Sequence, residues 1–220
     1  MSKIYFDPKT IMKMGRVGVS VKFASHEMKQ IVQVALNRHK SQRGANRHDH
    51  SVKSNEGVKN DLIGALGEVA VRDAFDFKEA DHITVLPIPQ WEAMRREKNL
   101  TDVGGFEVRS VGRDPEGSQK TSLIAKQDTD AGKKDVIFVL AVPTKTWGLF
   151  DSTVLVMGWA YGREIMVPEY MELNVDRPNY FMPLGDTRSI ESLYELQGKP
   201  FPKTLLEQDE ENYRDLNLAV

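Results

Sequence analysis

Apolar and polar residues recur along this chain with a helical rhythm in its first third and an alternating, extended rhythm afterwards. Residues 26–41, HEMKQIVQVALNRHKS, carry Met28, Ile31, Val32, Val34 and Leu36 amid polar neighbours, which predicts an amphipathic helix capped by Ser25. No apolar period runs through QRGANRHDHSVKSNEGVKN, and 40–57 reads as a basic, mobile loop. A second helix is predicted over 58–75, VKNDLIGALGEVAVRDAF, where Leu62, Ile63, Leu66, Val69, Ala70 and Ala74 line one face. Glu68 stands on the other side, yet its helical neighbours are Gly64, Val71 and Phe75. That stripe is at least partly buried, and a buried carboxylate is costly without a partner.

Around a linker containing LPIPQ the period changes to two. HITVL reads as a first strand, and TDVGGFEVRS, residues 101–110, as a hairpin turning at Gly104-Gly105. KTSLIAKQ, DVIFVLAVPT and STVLVMGWAY read as further strands, bounded by Asp, Gly, Pro and Lys. VIFVLAV is apolar on both faces, so it is expected at the centre of a sheet with a helix available to cover each side. The expected fold class is α/β, a mixed β-sheet flanked by helices. From about Val167 the text turns Pro-rich and irregular and closes on EQDEENYRDLNLAV. One domain over 1–190 and an acidic, solvated C-terminal extension over 191–220 are the expectation.

The hairpin carries the candidate chemistry. A two-residue turn at Gly104-Gly105 needs positive φ, which Gly supplies, and it pairs Val103 with Phe106. Asp102 then faces Glu107, with Cβ atoms roughly 4.5–5.5 Å apart, where like charges destabilise. Alternation puts Glu107, Arg109 and Val111 on one face and Phe106 and Val108 on the other. Two readings of the facing carboxylates stand. A divalent cation such as Mg²⁺, completed by waters, would bind between them. An exposed hairpin neutralised by water and Arg109 would also accommodate them.

Composition narrows the field. The chain has 220 residues, 40% of them hydrophobic, ample for one domain with a real core. A net charge of −2 leaves both nucleic acid and other partners open. With no cysteine, disulfides, thiolate metal sites and cysteine nucleophiles are excluded. No apolar run is long enough to span a bilayer and MSKIYFDPKT is not a signal peptide, so a soluble, cytoplasmic protein without membrane contact is expected. Neither G-x-x-x-x-G-K-[ST] nor G-x-G-x-x-G occurs, which removes support for nucleotide hydrolysis and dinucleotide chemistry. His48 and His50 form an HxH pair in a polar loop and read as solvated.

GALGEVAV followed by DVGGFEVRS resembles the PD-(D/E)XK (restriction-endonuclease-like) nuclease superfamily, and within it phage-encoded members with a GALGE helix and a DVGG-x-x-VR hairpin. Such members continue with an Asp ahead of an apolar strand and a later GW, matched here by Asp135 and by Gly158-Trp159. The resemblance spans about residues 25–190 and rests on the order of short motifs. It implies a restriction-endonuclease-like core and hydrolysis of DNA. It also implies Mg²⁺, with Mn²⁺ as substitute, held by Asp102 and Glu107 with Glu68 completing or supporting the site. The third signature position normally holds Lys, but here it is Arg109. A guanidinium stays charged, so Arg109 could stabilise charge but not deprotonate water. Lys126 on the following strand is either a displaced substitute or an exposed strand lysine. A homodimer, and the host-cell cytoplasm for a phage-encoded protein, are implied by the resemblance alone.

Arg38, Lys40, Arg43, Arg47, Lys53 and Lys59 concentrate positive charge between the two helices. They read either as a clamp on a phosphate backbone or as a solvated loop. Arg113 and Lys120, in GRDPEGSQK after the hairpin, are further candidate DNA contacts. Two functions are therefore expected in parallel. One is a Mg²⁺-dependent DNA nuclease; the other is a catalytically inactive nuclease-fold protein that binds nucleic acid or a host protein, suggested by Arg109 in place of lysine.

Overall fold

The structure, a computed structural model, describes residues 2–6, 17–44, 55–77, 101–111, 121–146, 149–172 and 178–204. A six-stranded mixed sheet runs through its centre. Its path is β1 (Lys3–Phe6), β2 (Val19–Lys22), β6 (Leu149–Tyr161), β5 (Ile137–Thr146) and β3 (Phe106–Ser110), with the short β9 (Arg188–Ser189) also beside β6. β3 runs parallel to β5, Phe106 opposite Ile137, and every other pairing is antiparallel. The apolar run in β5 is central, as expected: Phe138, Val139, Leu140 and Ala141 are fully buried. The two N-terminal strands carried too few residues to show a period.

The chain is mixed α/β, a mixed sheet flanked by helices, but the two predicted helices do not take one face each. α1 (Ser25–Gly44) and α2 (Asn55–Ala74) lie on the same side, α2 across the sheet and α1 packed on α2. The opposite face is covered by a second, antiparallel sheet of β4 (Ser122–Lys126), β8 (Asn179–Pro183) and β7 (Met171–Glu172). The cause is alternation: Leu123 and Ala125 of β4 and Met182 of β8 turn inward onto Phe138, Leu140, Val142 and Met157. KTSLIAKQ is thus a strand, but of a different sheet.

α1 buries Ile31, Val34 and Ala35, whereas Val32 and Leu36 of its predicted apolar set are 39% and 36% exposed. Ser25 is not its cap. Ala24 precedes the helix and donates its N–H to Glu27 Oε2 at 2.8 Å. The helices reach Gly44 and begin again at Asn55, so the basic loop is shorter than 40–57, and 45–54 lies outside the described residues. HITVL also lies outside them.

Gly67 sets how closely α2 can approach the sheet. A Cβ there would collide with the Ser110 hydroxyl and reach Ala141 Cβ at 3.0 Å. Only a glycine brings this turn of the helix against β3 and β5, and the next residue, Glu68, is thereby delivered to the sheet's rim.

The reading of the chain after Val167 as an irregular surface is also corrected. α5 (Ile190–Leu196) follows the short helices α3 (Gln127–Asp130) and α4 (Gly162–Ile165). Ile190, Leu193 and Tyr194 of α5 are buried in the main core. The Tyr194 hydroxyl donates to Ala74 O at 2.7 Å, burial raises its pKa, and its ring stacks on Phe75 at 4.5 Å. Phe201 continues the packing to Phe6, and Phe6 N–H donates to Lys203 O at 3.1 Å. The domain therefore runs past 190 to at least Thr204, while the acidic 205–220 lies outside the described residues. Among the described residues no helix is long and apolar enough to cross a membrane.

Leu193 is fully buried in a segment whose sequence reads as surface. Leu193→Ala is expected to lower unfolding stability by about 2–5 kcal/mol, measured by urea denaturation. A loss near zero would return α5 to the surface.

Candidate functional site at the hairpin

The turn forms as the two glycines dictate. Val103 and Phe106 exchange both backbone hydrogen bonds, at 3.0 and 2.7 Å, across Gly104 and Gly105, whose φ values are +54° and +87°. Gly104 is further constrained, since a Cβ there would strike the Phe77 ring at 2.6 Å. The ladder ends at this pair. Asp102 continues it with its side chain: Oδ2 accepts the Val108 N–H at 2.8 Å, on the free edge of β3. Its carboxylate is thereby fixed beside Glu107. Phe106 and Val108 enter the core shared with the helices, and Val111 packs towards the second sheet, which is the alternation expected.

Glu107 is only 4% exposed and has a cation on each oxygen: Arg109 Nη1 at 2.9 Å and Lys133 Nζ at 2.6 Å. Arg109 is spread over many partners. Its Nε donates to Ile124 O at 3.0 Å, its Nη2 to Asp130 Oδ2 at 2.6 Å, and its guanidinium lies over the Phe138 ring at 5.3 Å. Arg109 thus ties β3 to β4 and braces Glu107. All three of its nitrogens have protein partners. Asp130, nearly inaccessible, also accepts the Lys126 N–H at 2.7 Å and lies 3.9 Å from Lys133. On the helix side Glu68 receives a two-pronged bond from Arg38, Nη1 to Oε1 at 2.8 Å and Nη2 to Oε2.

Charge shapes the protonation of this cluster. Burial, then the charge of Glu68, raises the Asp102 carboxyl above its usual range, against the pull of Arg109. Glu107 is raised by burial and then by Asp102, with Arg109 and Lys133 opposing. Asp102 keeps 30% of its side-chain exposure, so solvent moderates its share. Burial alone would lower Arg109, but Glu107, Asp130 and Asp102 outweigh it and keep the guanidinium charged.

Of the residues singled out in the sequence, Glu68, Asp102, Glu107 and Arg109 come together. Lys126 is exposed and enters only through its backbone amide. Arg38, read as a DNA contact, falls on the buried side of α1 and is paired with Glu68 in this structure. Lys40 and Lys59 are exposed on α1 and α2. Arg43 lies in α1, with nothing described of its side chain, and Arg47, His48, His50, Lys53, Arg113 and Lys120 lie outside the described residues. Asp135 is exposed and pairs with Arg163 at 2.6 Å. Gly158 and Trp159 pack inside the fold, the indole N–H donating to Ser189 O at 3.0 Å. Asp130 and Lys133 were missed. The signal is faint: in DTDAGKKD the two lie three residues apart, just ahead of the central strand.

Among the described residues no three Asp, Glu or His side chains gather into a ready metal cage. A divalent cation fits the donor chemistry in a narrower sense. Asp102 and Glu107 are hard oxygen donors whose repulsion is built in, and Glu68 is close enough for its charge to act on Asp102. Compared with family models, curated proteins and solved structures, the chain finds no match.

The raised carboxyls have a consequence for stability. Asp102 and Glu107 hold protons more tightly folded than unfolded, so their contribution is full below the ordinary values of 3.8 and 4.5. It is lost as pH rises through the higher folded values. Without divalent metal, Asp102→Asn is expected to gain stability relative to wild type as pH rises across that window. Urea midpoints of both proteins against pH give the difference, and a flat difference would contradict the coupling.

Proposed function

We propose that this chain is a small metal-dependent nuclease of the PD-(D/E)XK type, with a restriction-endonuclease-like core, that hydrolyses phosphodiester bonds of DNA. The observation that supports the reading is the adjacency of Asp102 and Glu107 across a glycine turn, with a lysine ammonium 2.6 Å from Glu107. When bound, Mg²⁺ or Mn²⁺ would acidify a water and offset charge on the phosphate. Asp102 and Glu107 would hold the ion, with Glu68 in support.

The protein groups then divide the remaining work. Lys133 takes the place that Arg109 leaves open in the signature. Its ammonium can orient a water against Glu107 and donate a hydrogen bond to developing negative charge, as a compact point charge that the forked guanidinium is not. Arg109 keeps Glu107 and Asp130 in register and contributes fixed positive potential. Lys40, Arg43, Arg47 and Lys53, with Arg113 and Lys120, would meet the DNA backbone.

A second reading has an observation of its own. Glu68, Glu107 and Asp130 each already have a basic partner, a network that neutralises itself without metal. Such a site suits a catalytically inactive protein of the same fold that binds nucleic acid or a host protein.

End-labelled single-stranded, duplex and branched DNA, incubated with Mg²⁺ or Mn²⁺, separates the two. Cleavage is expected in wild type, a fall of about a hundredfold or more in Lys133→Met, and little change in Lys126→Met. The reverse order would move the ammonium role to Lys126. DNA binding with no cleavage of any form would favour the second reading.

A further inference from the structure

Arg38 leaves α1 on the stripe defined by Ile31, Val34 and Ala35, and covers both oxygens of Glu68. The two side chains are only 11% and 13% exposed. A buried pair of this kind is a poor source of stability, because desolvation cancels much of the attraction and apolar residues would pack as well. What the pair does achieve is to occupy Glu68. Glu68 acts on Asp102, Asp102 acts on Glu107, and the field of Asp102 and Asp61 also reaches Arg38. On the helix side of the carboxylates the positive charge is that of Arg38, and its fork matches two oxygens of a phosphate as well as those of a carboxylate.

We propose that Arg38 exchanges partners when DNA binds, passing from Glu68 to a backbone phosphate and releasing Glu68 to the divalent cation held by Asp102 and Glu107. The inference rests on the reading of these three carboxylates as a metal site. Each group keeps a partner of opposite charge: phosphate replaces Glu68 on Arg38, and the divalent ion replaces Arg38 on Glu68. No covalent bond changes. The exchange makes metal and DNA binding mutually reinforcing, since coupling between two ligands is reciprocal. It also keeps the DNA-free protein from completing its metal shell. Arg38 is thus a phosphate ligand in the complex and a latch outside it.

The test is Mn²⁺ binding, read from the paramagnetic resonance of the free ion, in wild type, Arg38→Gln and Arg38→Lys, with and without a phosphorothioate-linked duplex. Arg38→Lys keeps the charge that Glu68 needs to remain buried, so it guards against a failure of Arg38→Gln to fold. Without DNA, Arg38→Gln is expected to bind Mn²⁺ about tenfold more tightly than wild type, and Arg38→Lys more tightly by less. The duplex is expected to tighten Mn²⁺ binding in wild type but not in Arg38→Gln. A purely structural Arg38 would leave Mn²⁺ affinity equal or weaker in both variants, which overturns the exchange and leaves the metal site intact. Absence of Mn²⁺ binding in all three proteins, with and without duplex, overturns the metal site and the exchange together.

Discussion

Asp102 and Glu107 repel each other, and the turn between them allows no escape. Two residues at positive φ fix the hairpin, Phe77 closes over Gly104, and the Val108 amide holds Asp102 in place. Within a few ångströms the chain then answers that repulsion from several directions. Arg109 and Lys133 each take one oxygen of Glu107, Asp130 anchors Arg109, and Arg38 covers Glu68 on the helix side. Four carboxylates, Glu68, Asp102, Glu107 and Asp130, thus face three cations, Arg38, Arg109 and Lys133. Burial first, and then the charge of a neighbouring carboxylate, raises the Asp102 and Glu107 carboxyls.

The scaffold explains why this arrangement can persist. Glycine at 67 brings α2 close enough for Glu68 to join from one side of the sheet. Arg109 reaches the other side and ties the central sheet to the second one through Ile124 and Asp130. Behind the hairpin, the rings of Phe75, Phe77, Phe106 and Tyr194 lock its base to the ends of α2 and α5. The charge cluster thus sits on a closely packed apolar base.

Much of this was legible in the sequence where the information is local. The glycine pair sets the turn, alternation sets which side chains share a face, and the doubly apolar VIFVLAV sets the centre. What escaped was non-local. Nothing in SLIAK says that β4 pairs with Asn179–Pro183 rather than with the central sheet. Tyr194 and Leu193 sit in a stretch whose composition resembles surface, and only packing on distant parts of the chain, β6 and Phe75 among them, buries them. Lys133 hides beside Lys134 in a turn, where two lysines look like solvent-facing neighbours. Arg38 reads as a charge beside the basic loop, and its pairing with Glu68 depends on how α1 packs on α2. Its spacing of three and four residues from Ala35 and Val34 marked the buried side of α1, where the costly guanidinium needed the carboxylate of Glu68.

The central claim is that Asp102 and Glu107 form a site for a divalent cation rather than a self-neutralised brace. Calorimetric titration of Mg²⁺ and Mn²⁺ into wild type, Asp102→Ala and Glu107→Ala tests it most directly, with DNA present so that the phosphate can complete the shell. The account predicts binding in wild type that disappears in both variants. Equal binding in all three proteins, or none in wild type, would contradict it.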